Sequence, residues 1–162
     1  MRELARKLPW IHSCACAEDQ WKTITPARGT HLPTLLVIDG DSTTRELLHE
    51  FFSKRYECDT ADRGDQALQY LEFKEYDAII TDAFMPGIAG LQILKRIQQR
   101  HLTTPVIVIS GKGDRFREFF MEMGAFAYFA EPLRLDKLEL AVSQAVARCQ
   151  QMSTDTNLNL AE

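Results

Sequence analysis

DAIITDAFMPGIAG, residues 77–90, is the segment from which the fold of this chain is inferred. Its apolar run is too short for a helix and precedes a Pro-Gly turn, a pattern typical of a parallel strand buried on both faces. Asp82 then lies at the carboxyl end of that strand, where open α/β sheets place their chemistry. Met85-Pro86-Gly87 predicts a loop, and Gly90 permits a tight turn into the next helix. Asp82 can therefore serve as a nucleophile, as a metal ligand or as both, or it can simply cap the loop.

Length and composition indicate a globular protein with one domain and extensions. The chain has 162 residues, of which 45% are hydrophobic and 26% charged, and its formal net charge is -4. That charge argues against nucleic-acid binding. No apolar run approaches the ~18 residues of a membrane span, and the first residues lack the apolar core of a signal peptide. The four cysteines are widely spread, so we expect reduced thiols and a cytoplasmic location.

Both ends of the chain are expected to lie outside the folded domain, which is predicted at residues 34–149. Residues 1–33 have no sustained hydrophobic period and are expected to form a poorly ordered extension. Within them, His12, Cys14 and Cys16 provide too few ligands for a closed zinc site. Residues 150–162 are polar and are expected to fray.

Five apolar strands are expected to alternate with five amphipathic helices. The strands are predicted at 34–38, at 56–61, up to Asp82, at 106–109 and at 124–129. The helices follow each strand, the first capped by Asp41 or Ser42 and the fourth spanning 116–123. Such alternation predicts an α/β fold: a flavodoxin-like, doubly wound, five-stranded parallel sheet of order 2-1-3-4-5, with helices on both faces.

In that strand order the first, third and fourth strands are neighbours. Their carboxyl ends would bring Asp39, Asp82 and Ser110 into one crevice. Three chain segments that direct oxygen groups to one place form a stronger signal than any single motif.

The region from about Thr34 to Cys149 resembles the response-regulator receiver domain of two-component signalling. The residues that carry the resemblance are Leu36-Val37-Ile38-Asp39, Arg45, Asp82 with Met85-Pro86-Gly87 and Gly90-Leu91, Pro105 to Ser110, and Gly124-Ala125 through Tyr128 to Pro132.

The resemblance implies a phosphorelay protein without enzymatic activity on a substrate. Asp82 would accept a phosphoryl group from a histidine kinase or a phosphotransfer protein. Asp39, Asp82 and the backbone carbonyl of Phe84 would hold Mg²⁺. Ser110 would bond the phosphoryl oxygen, and Tyr128 would switch between exposed and buried rotamers. A downstream protein would receive the signal.

Two residues depart from the family pattern at the site itself. Gly40 replaces the usual second acidic residue, and Glu131 replaces the usual lysine. The departures remove one metal ligand and reverse one charge, so we expect weak or absent Mg²⁺-dependent phosphorylation of Asp82. Asp41 or Glu131 as an alternative metal ligand, or Lys112 as an alternative cation, would compensate.

Two other classes of function remain open. Asp39-Gly40-Asp41 also resembles the nucleophile motif of haloacid-dehalogenase-like phosphatases, with Asp41 as acid/base, although no acidic pair ends a later strand.

The second class is a non-switching pseudo-receiver that acts as a protein-interaction module. The fourth helix is apolar over much of its circumference, and one face cannot bury all of its large side chains: Phe116, Phe119, Phe120, Met121 and Met123. A homodimer through the fourth helix, fifth strand and fifth helix would use this surface. Because only a short polar tail follows the last helix, we expect a stand-alone receiver.

Overall fold

The computed structural model describes residues 32–85, 90–100 and 103–159 of the chain. The strands are β1 (Thr34–Ile38), β2 (Glu57–Ala61), β3 (Ala78–Asp82), β4 (Val106–Ser110) and β5 (Ala127–Ala130). The helices are α1 (Ser42–Phe52), α2 (Gly64–Phe73), α3 (Gly90–Gln99), a 3₁₀-helix (Gly113–Phe116), α4 (Arg117–Glu122) and α5 (Leu135–Asn159). The Cys14 and Cys16 motif, nearly all of the predicted extension and the Pro86-Gly87 turn lie outside the described residues.

The strands form one parallel sheet of order β2-β1-β3-β4-β5. The predicted flavodoxin-like topology is therefore confirmed. β1, β3 and β4 occupy the centre, so that the segments after them leave the sheet side by side at one edge. The chain adds β2 on one side of β1 and the later strands on the other side, and right-handed crossovers then place the helices on both faces of the sheet.

Alternate residues of each central strand pack into two different cores. On one face Leu35 and Val37 join Ile80 and the apolar stripes of α1 and α5. On the other face Leu36 and Ile38 contribute to a core with α2, α3 and α4. Burial on both faces explains why these strands are continuous apolar runs instead of alternating ones.

Element boundaries differ from the predictions at several places, three of which have an identifiable cause. The predicted helix 116–123 is shorter, because a 3₁₀ turn takes up its first residue and α4 begins at Arg117. The fifth strand starts at Ala127, since Gly124 has a φ of +89° that a strand does not accommodate. The last helix was expected to end before the polar segment that begins at residue 150. Instead, α5 continues to Asn159. No Gly or Pro follows Pro132 to end the helix.

Among the described residues, no helix is long and apolar enough to cross a membrane.

Candidate functional site

A cavity of about 380 Å³ opens at the carboxyl ends of β1, β3 and β4. Its lining contains four carboxylates and one ammonium group. The lining residues are Asp39, Asp41, Thr44, Asp82, Phe84, Gly111, Lys112 and Glu131. The strand order thus gathers groups that lie more than 90 positions apart in the sequence, and the resulting site is strongly acidic.

Asp39 follows β1 and is buried at the base of this site. One of its carboxylate oxygens, Oδ1, accepts a hydrogen bond of 2.8 Å from the N–H of Asp41. Burial raises the pKa of Asp39 to about 7. The N–H of Asp41 opposes this rise, whereas the charges of Asp82, Glu131 and Asp41 add to it. A nearby cation would therefore stabilise the charged form of Asp39.

Asp82 ends β3 and projects into the same cavity. Its Oδ1 accepts a hydrogen bond of 3.1 Å from the N–H of Phe84. Burial raises the pKa of Asp82, whereas backbone hydrogen bonds and the charge of Lys112 lower it. The carboxylate is held on a rigid strand end yet opens onto solvent, as an acceptor group requires.

Ser110 and Tyr128 are buried and are not among the lining residues of the cavity. Ser110 ends β4, is fully buried and accepts a hydrogen bond of 3.1 Å at Oγ from the N–H of Lys112. Tyr128 lies on β5 with its ring buried, and its hydroxyl donates to the carbonyl of Gly113 at 2.7 Å. Tyr128 thus has a buried rotamer, and its role as a switch stays a prediction.

Glu131 occupies the position where the family pattern has a lysine, directly after β5. Burial raises the pKa of Glu131, and the charges of Asp82 and Asp41 raise it further. Its N–H donates to the carbonyl of Ser110 at 2.9 Å, which fixes the backbone against β4. The departure from the pattern is therefore part of the site and not a solvated loop charge.

The three residues expected to compensate for the departures all lie on the cavity. Asp41, however, is also the N-cap of α1, and its Oδ1 accepts from the N–H of Thr44 at 2.8 Å. Lys112 is the one cation among the described lining residues. One carboxylate oxygen of Asp41 is thus already bonded to the helix, whereas Lys112 and Glu131 line the cavity.

Sequence reasoning assigned no role at the site to three contributors. Thr44 is buried beside the acidic groups, and its place three residues after the Asp41 cap was a usable signal. Arg45 donates from Nη1 to the carbonyl of Asp39 at 2.7 Å. Arg117 donates from Nη1 to the carbonyl of Tyr128 at 2.7 Å, for which the sequence offers no local signal.

The oxygen groups of the cavity meet the modest requirements of a magnesium ion. Within the part of the chain that the structure describes, no three His, Cys, Asp or Glu side chains are arranged to hold a metal ion together. Mg²⁺ requires less, because it binds through one or two carboxylates and completes its octahedron with waters and phosphate oxygens. Asp39 and Asp82 on one cavity are compatible with that mode.

A parallel sheet of order 2-1-3-4-5 with carboxylates at its carboxyl edge is typical of flavodoxin-like domains. A family model described as the response regulator receiver domain matches residues 35–143. The chain belongs to this family.

Individual relatives agree with the family match. The DNA-binding transcriptional regulator NtrC of Escherichia coli K12 is 32% identical over 126 residues, covering 76% of this chain and 27% of NtrC. A receiver domain protein of Clostridium thermocellum has a TM-score of 0.69 at 30% identity, covering 75% of this chain and 99% of that one. TrrA of Thermotoga maritima, solved in complex with Mg²⁺-BeF, has a TM-score of 0.65 at 30% identity over 70% of this chain and 99% of TrrA.

The chain spans about a quarter of the length of NtrC. Receiver domains are generally non-enzymatic signalling domains that bind Mg²⁺ for phosphorylation. They interact with histidine kinases or phosphotransfer proteins and with downstream effectors. The family match therefore favours the receiver interpretation over the phosphatase-like alternative.

Proposed function

We propose that Asp82 is the phosphoacceptor of a phosphorelay and that the exchanged residues around it weaken its phosphorylation. The observation that carries this proposal is the joint position of Asp82, Asp39, Glu131 and Lys112 on one cavity. The donor would be a phosphohistidine of a histidine kinase or of a phosphotransfer protein, and a downstream protein would be the target.

The reaction needs an in-line approach of one Asp82 oxygen to phosphorus. The new P–O bond forms as the P–N bond breaks, and the imidazole leaves with the electron pair. The Ser110 hydroxyl would donate to a phosphoryl oxygen while its Oγ still accepts from the N–H of Lys112. The Lys112 ammonium would partly neutralise the incoming anion, a role that its influence on the pKa of Asp82 supports.

Asp39, Asp82 and the carbonyl of Phe84 would hold Mg²⁺, which supplies charge neutralisation at the phosphoryl group when it is bound. The TrrA complex with Mg²⁺-BeF supports this assignment by similarity. The raised pKa of Asp39 supports it independently, since a buried carboxylate among other carboxylates is stabilised by a cation.

Glu131 and Gly40 oppose the reaction. At an effective dielectric of ~20 and a separation of ~5 Å, the interaction between two unit charges is roughly 3 kcal/mol. Having the anion Glu131 in place of a cation therefore makes the interaction with the phosphoryl group less favourable by roughly 6 kcal/mol before solvent screening. Gly40 adds no ligand to the metal site. We therefore expect a low extent of phosphorylation that still depends on Asp82.

Intact-mass measurement of the full chain with acetyl phosphate and Mg²⁺ tests the proposal. We expect slow, partial addition of one phosphoryl group, none on Asp82→Asn, and faster, fuller addition on the Gly40→Asp, Glu131→Lys double variant. Rapid and nearly complete modification of the unaltered chain would refute the weakened site. No modification of the double variant would overturn the assignment of Asp82.

A second candidate function is a non-switching interaction module. It is favoured by Phe119 and Met121 on α4, whose exposed fractions are 44% and 42%. Phe119 also contacts the buried Phe120, with ring centroids 5.4 Å apart, so the exposed ring is continuous with the core. A homodimer through α4, β5 and α5 would cover this surface. Sedimentation as a dimer that is insensitive to acetyl phosphate and is lost in Phe119→Asp would favour this function.

A further inference from the structure

Arg117, the first residue of α4, connects three separate elements. Its Nε and Nη2 donate to Oδ1 of Asp114 in the 3₁₀-helix, at 3.0 and 2.6 Å. Its Nη1 donates to the backbone carbonyl of Tyr128 on β5 at 2.7 Å. The guanidinium carbon lies 5.3 Å from the centroid of the Tyr128 ring. Both edges of the planar group are thus fixed by hydrogen bonds, and its position over the ring follows from them.

The Tyr128 side chain is enclosed from several sides. Its ring is 2% exposed and stacks on Phe120, with centroids 5.8 Å apart and planes at 30°. Its hydroxyl donates to the carbonyl of Gly113, in the same turn that carries Asp114. If the ring rotated outward, the contacts with Phe120, Gly113 and the guanidinium would be lost together. The bond from Arg117 to the Tyr128 backbone would remain, because it does not depend on the rotamer.

We infer that Arg117 is a positioning residue that holds Tyr128 in its buried rotamer. Asp114 and the Tyr128 carbonyl fix the guanidinium, and the fixed cation attracts the face of the ring. This inference rests on the proposed function only in that the family resemblance implies Tyr128 as the switch residue of the receiver. The equilibrium between the buried and exposed rotamers of Tyr128 does not require phosphorylation, so it can be measured without a phosphodonor.

The adjacent arginine provides a matched control. The Arg115 guanidinium lies 5.2 Å from the Phe116 ring centroid. It makes a comparable contact with a different ring. Replacing Arg115 therefore removes the same charge and the same kind of contact from the same turn, while the contacts of Tyr128 are left in place.

The test uses the full chain labelled with 3-fluorotyrosine, whose four tyrosines give four ¹⁹F signals. Tyr128→Phe assigns the signal, and a neutral nitroxide in solution reports its exposure. We expect Tyr128 to be protected in the unaltered chain and in Arg115→Met. In Arg117→Met the exposed population should rise roughly tenfold, the size of the effect expected for a lost, partly desolvated cation–π contact. Arg117→Lys should give an intermediate value, because it keeps the charge but not the planar fork.

Unchanged protection of Tyr128 in Arg117→Met would overturn the inference, as would equal exposure in Arg115→Met. If Arg117→Met does not fold, Arg117→Lys and Asp114→Asn provide the test. Protection that is reduced in either variant supports the inference, and protection that is unchanged in both contradicts it. If the inference about Arg117 is wrong, the mass measurement on Asp82 is unaffected. If Asp82 is not phosphorylated, the fluorine measurement on Tyr128 is unaffected.

Discussion

Oε2 of Glu131 lies 2.9 Å from the position that a Cβ atom would take on Gly111. A side chain at 111 and the present carboxylate would therefore compete for one space at the mouth of the cavity. The residue that reverses the charge of the site is thus accommodated by a glycine on the neighbouring strand end. The negative charge of Glu131 is thus accommodated at this position because residue 111 has no side chain.

Replacing Gly111 by alanine should cost little stability. The contact would be with the far end of a flexible side chain, which can rotate away, so we expect the free energy of unfolding to fall by less than ~1 kcal/mol. Urea denaturation followed by circular dichroism measures this change.

Gly90→Ala is the matched comparison. A Cβ there would lie 2.7 Å from the carbonyl oxygen of Asp82 and 3.2 Å from Cγ2 of Thr81. Because backbone cannot yield as a side chain does, the loss should reach about 2–3 kcal/mol. Equal losses in the two variants would contradict this account of Gly111.

Stability in metal-free buffer should fall as the pH rises from about 4 to 8. The pKa of Asp39 is about 7 in the folded chain against 3.8 as its ordinary value. The folded state therefore binds the proton more tightly, and this contribution is complete below pH 3.8 and lost as the pH passes 7. The shift corresponds to on the order of 4 kcal/mol. Asp82 and Glu131, whose pKa values are also raised, contribute in the same direction.

Asp39→Asn removes the titration and should flatten this part of the stability profile. Urea midpoints at several pH values in the presence of a chelator provide the measurement. Added Mg²⁺ should stabilise the unaltered chain most at pH 8, where Asp39 is charged, and should have little effect on Asp39→Asn. A profile that rises between pH 4 and 8 in both proteins would refute the assigned shift.

The sheet could be predicted from the sequence because its determinants are local. The apolar runs around Leu36, Ile80 and Ile107 are continuous, and a strand covered on both faces leaves such a run. Handedness then left few strand orders, and the positions of Asp39 and Asp82 at one edge followed.

The finer features of the site could not be predicted because they depend on contacts between distant residues. Ser110 is fully buried and is not among the lining residues of the cavity, and its Oγ accepts from the N–H of Lys112. The contact of Arg117 with Tyr128 joins residues eleven positions apart across a helix and a strand. The helical run beyond Cys149 was missed because polar composition was given more weight than the absence of Gly and Pro.

Removing the Lys112 cation should affect metal binding and phosphoryl transfer in opposite directions. Its positive charge repels Mg²⁺ but attracts the phosphoryl group, and it lowers the pKa of Asp82. In Lys112→Met we expect Mg²⁺ to bind a few-fold more tightly and phosphorylation to slow about fivefold, equivalent to ~1 kcal/mol for an exposed cation. Calorimetry and intact mass measure the two effects.

Arg115→Met is the control, since Arg115 lies in the same turn but is not among the lining residues of the cavity. Its substitution should change neither quantity. Changes of both quantities in the same direction in Lys112→Met would show that Lys112 acts on the fold and not on the charge of the site.

Lys74→Met should destabilise the chain at the edge strand β2. The Nζ of Lys74 lies 2.7 Å from Glu57 and 2.8 Å from Asp59, and the Tyr76 hydroxyl donates to the same Asp59 oxygen at 2.8 Å. Burial raises the pKa of Asp59, but the hydrogen bonds from Lys74 and Tyr76 outweigh burial and lower this pKa below its ordinary value. Their contribution is present above pH 3.8 and is lost as the pH falls through the lowered pKa.

We expect Lys74→Met to lower the free energy of unfolding by about 1 kcal/mol at pH 7, with a smaller difference at pH 3. Arg63→Met is the comparison, because the Arg63 side chain is 69% exposed against 33% for Lys74 and pairs with its near neighbour Asp65. Its loss should be clearly smaller than that of Lys74→Met, as for other fully exposed ion pairs. Equal losses in the two variants, or a Lys74→Met effect that does not change with pH, would show that the edge strand is held by apolar packing alone.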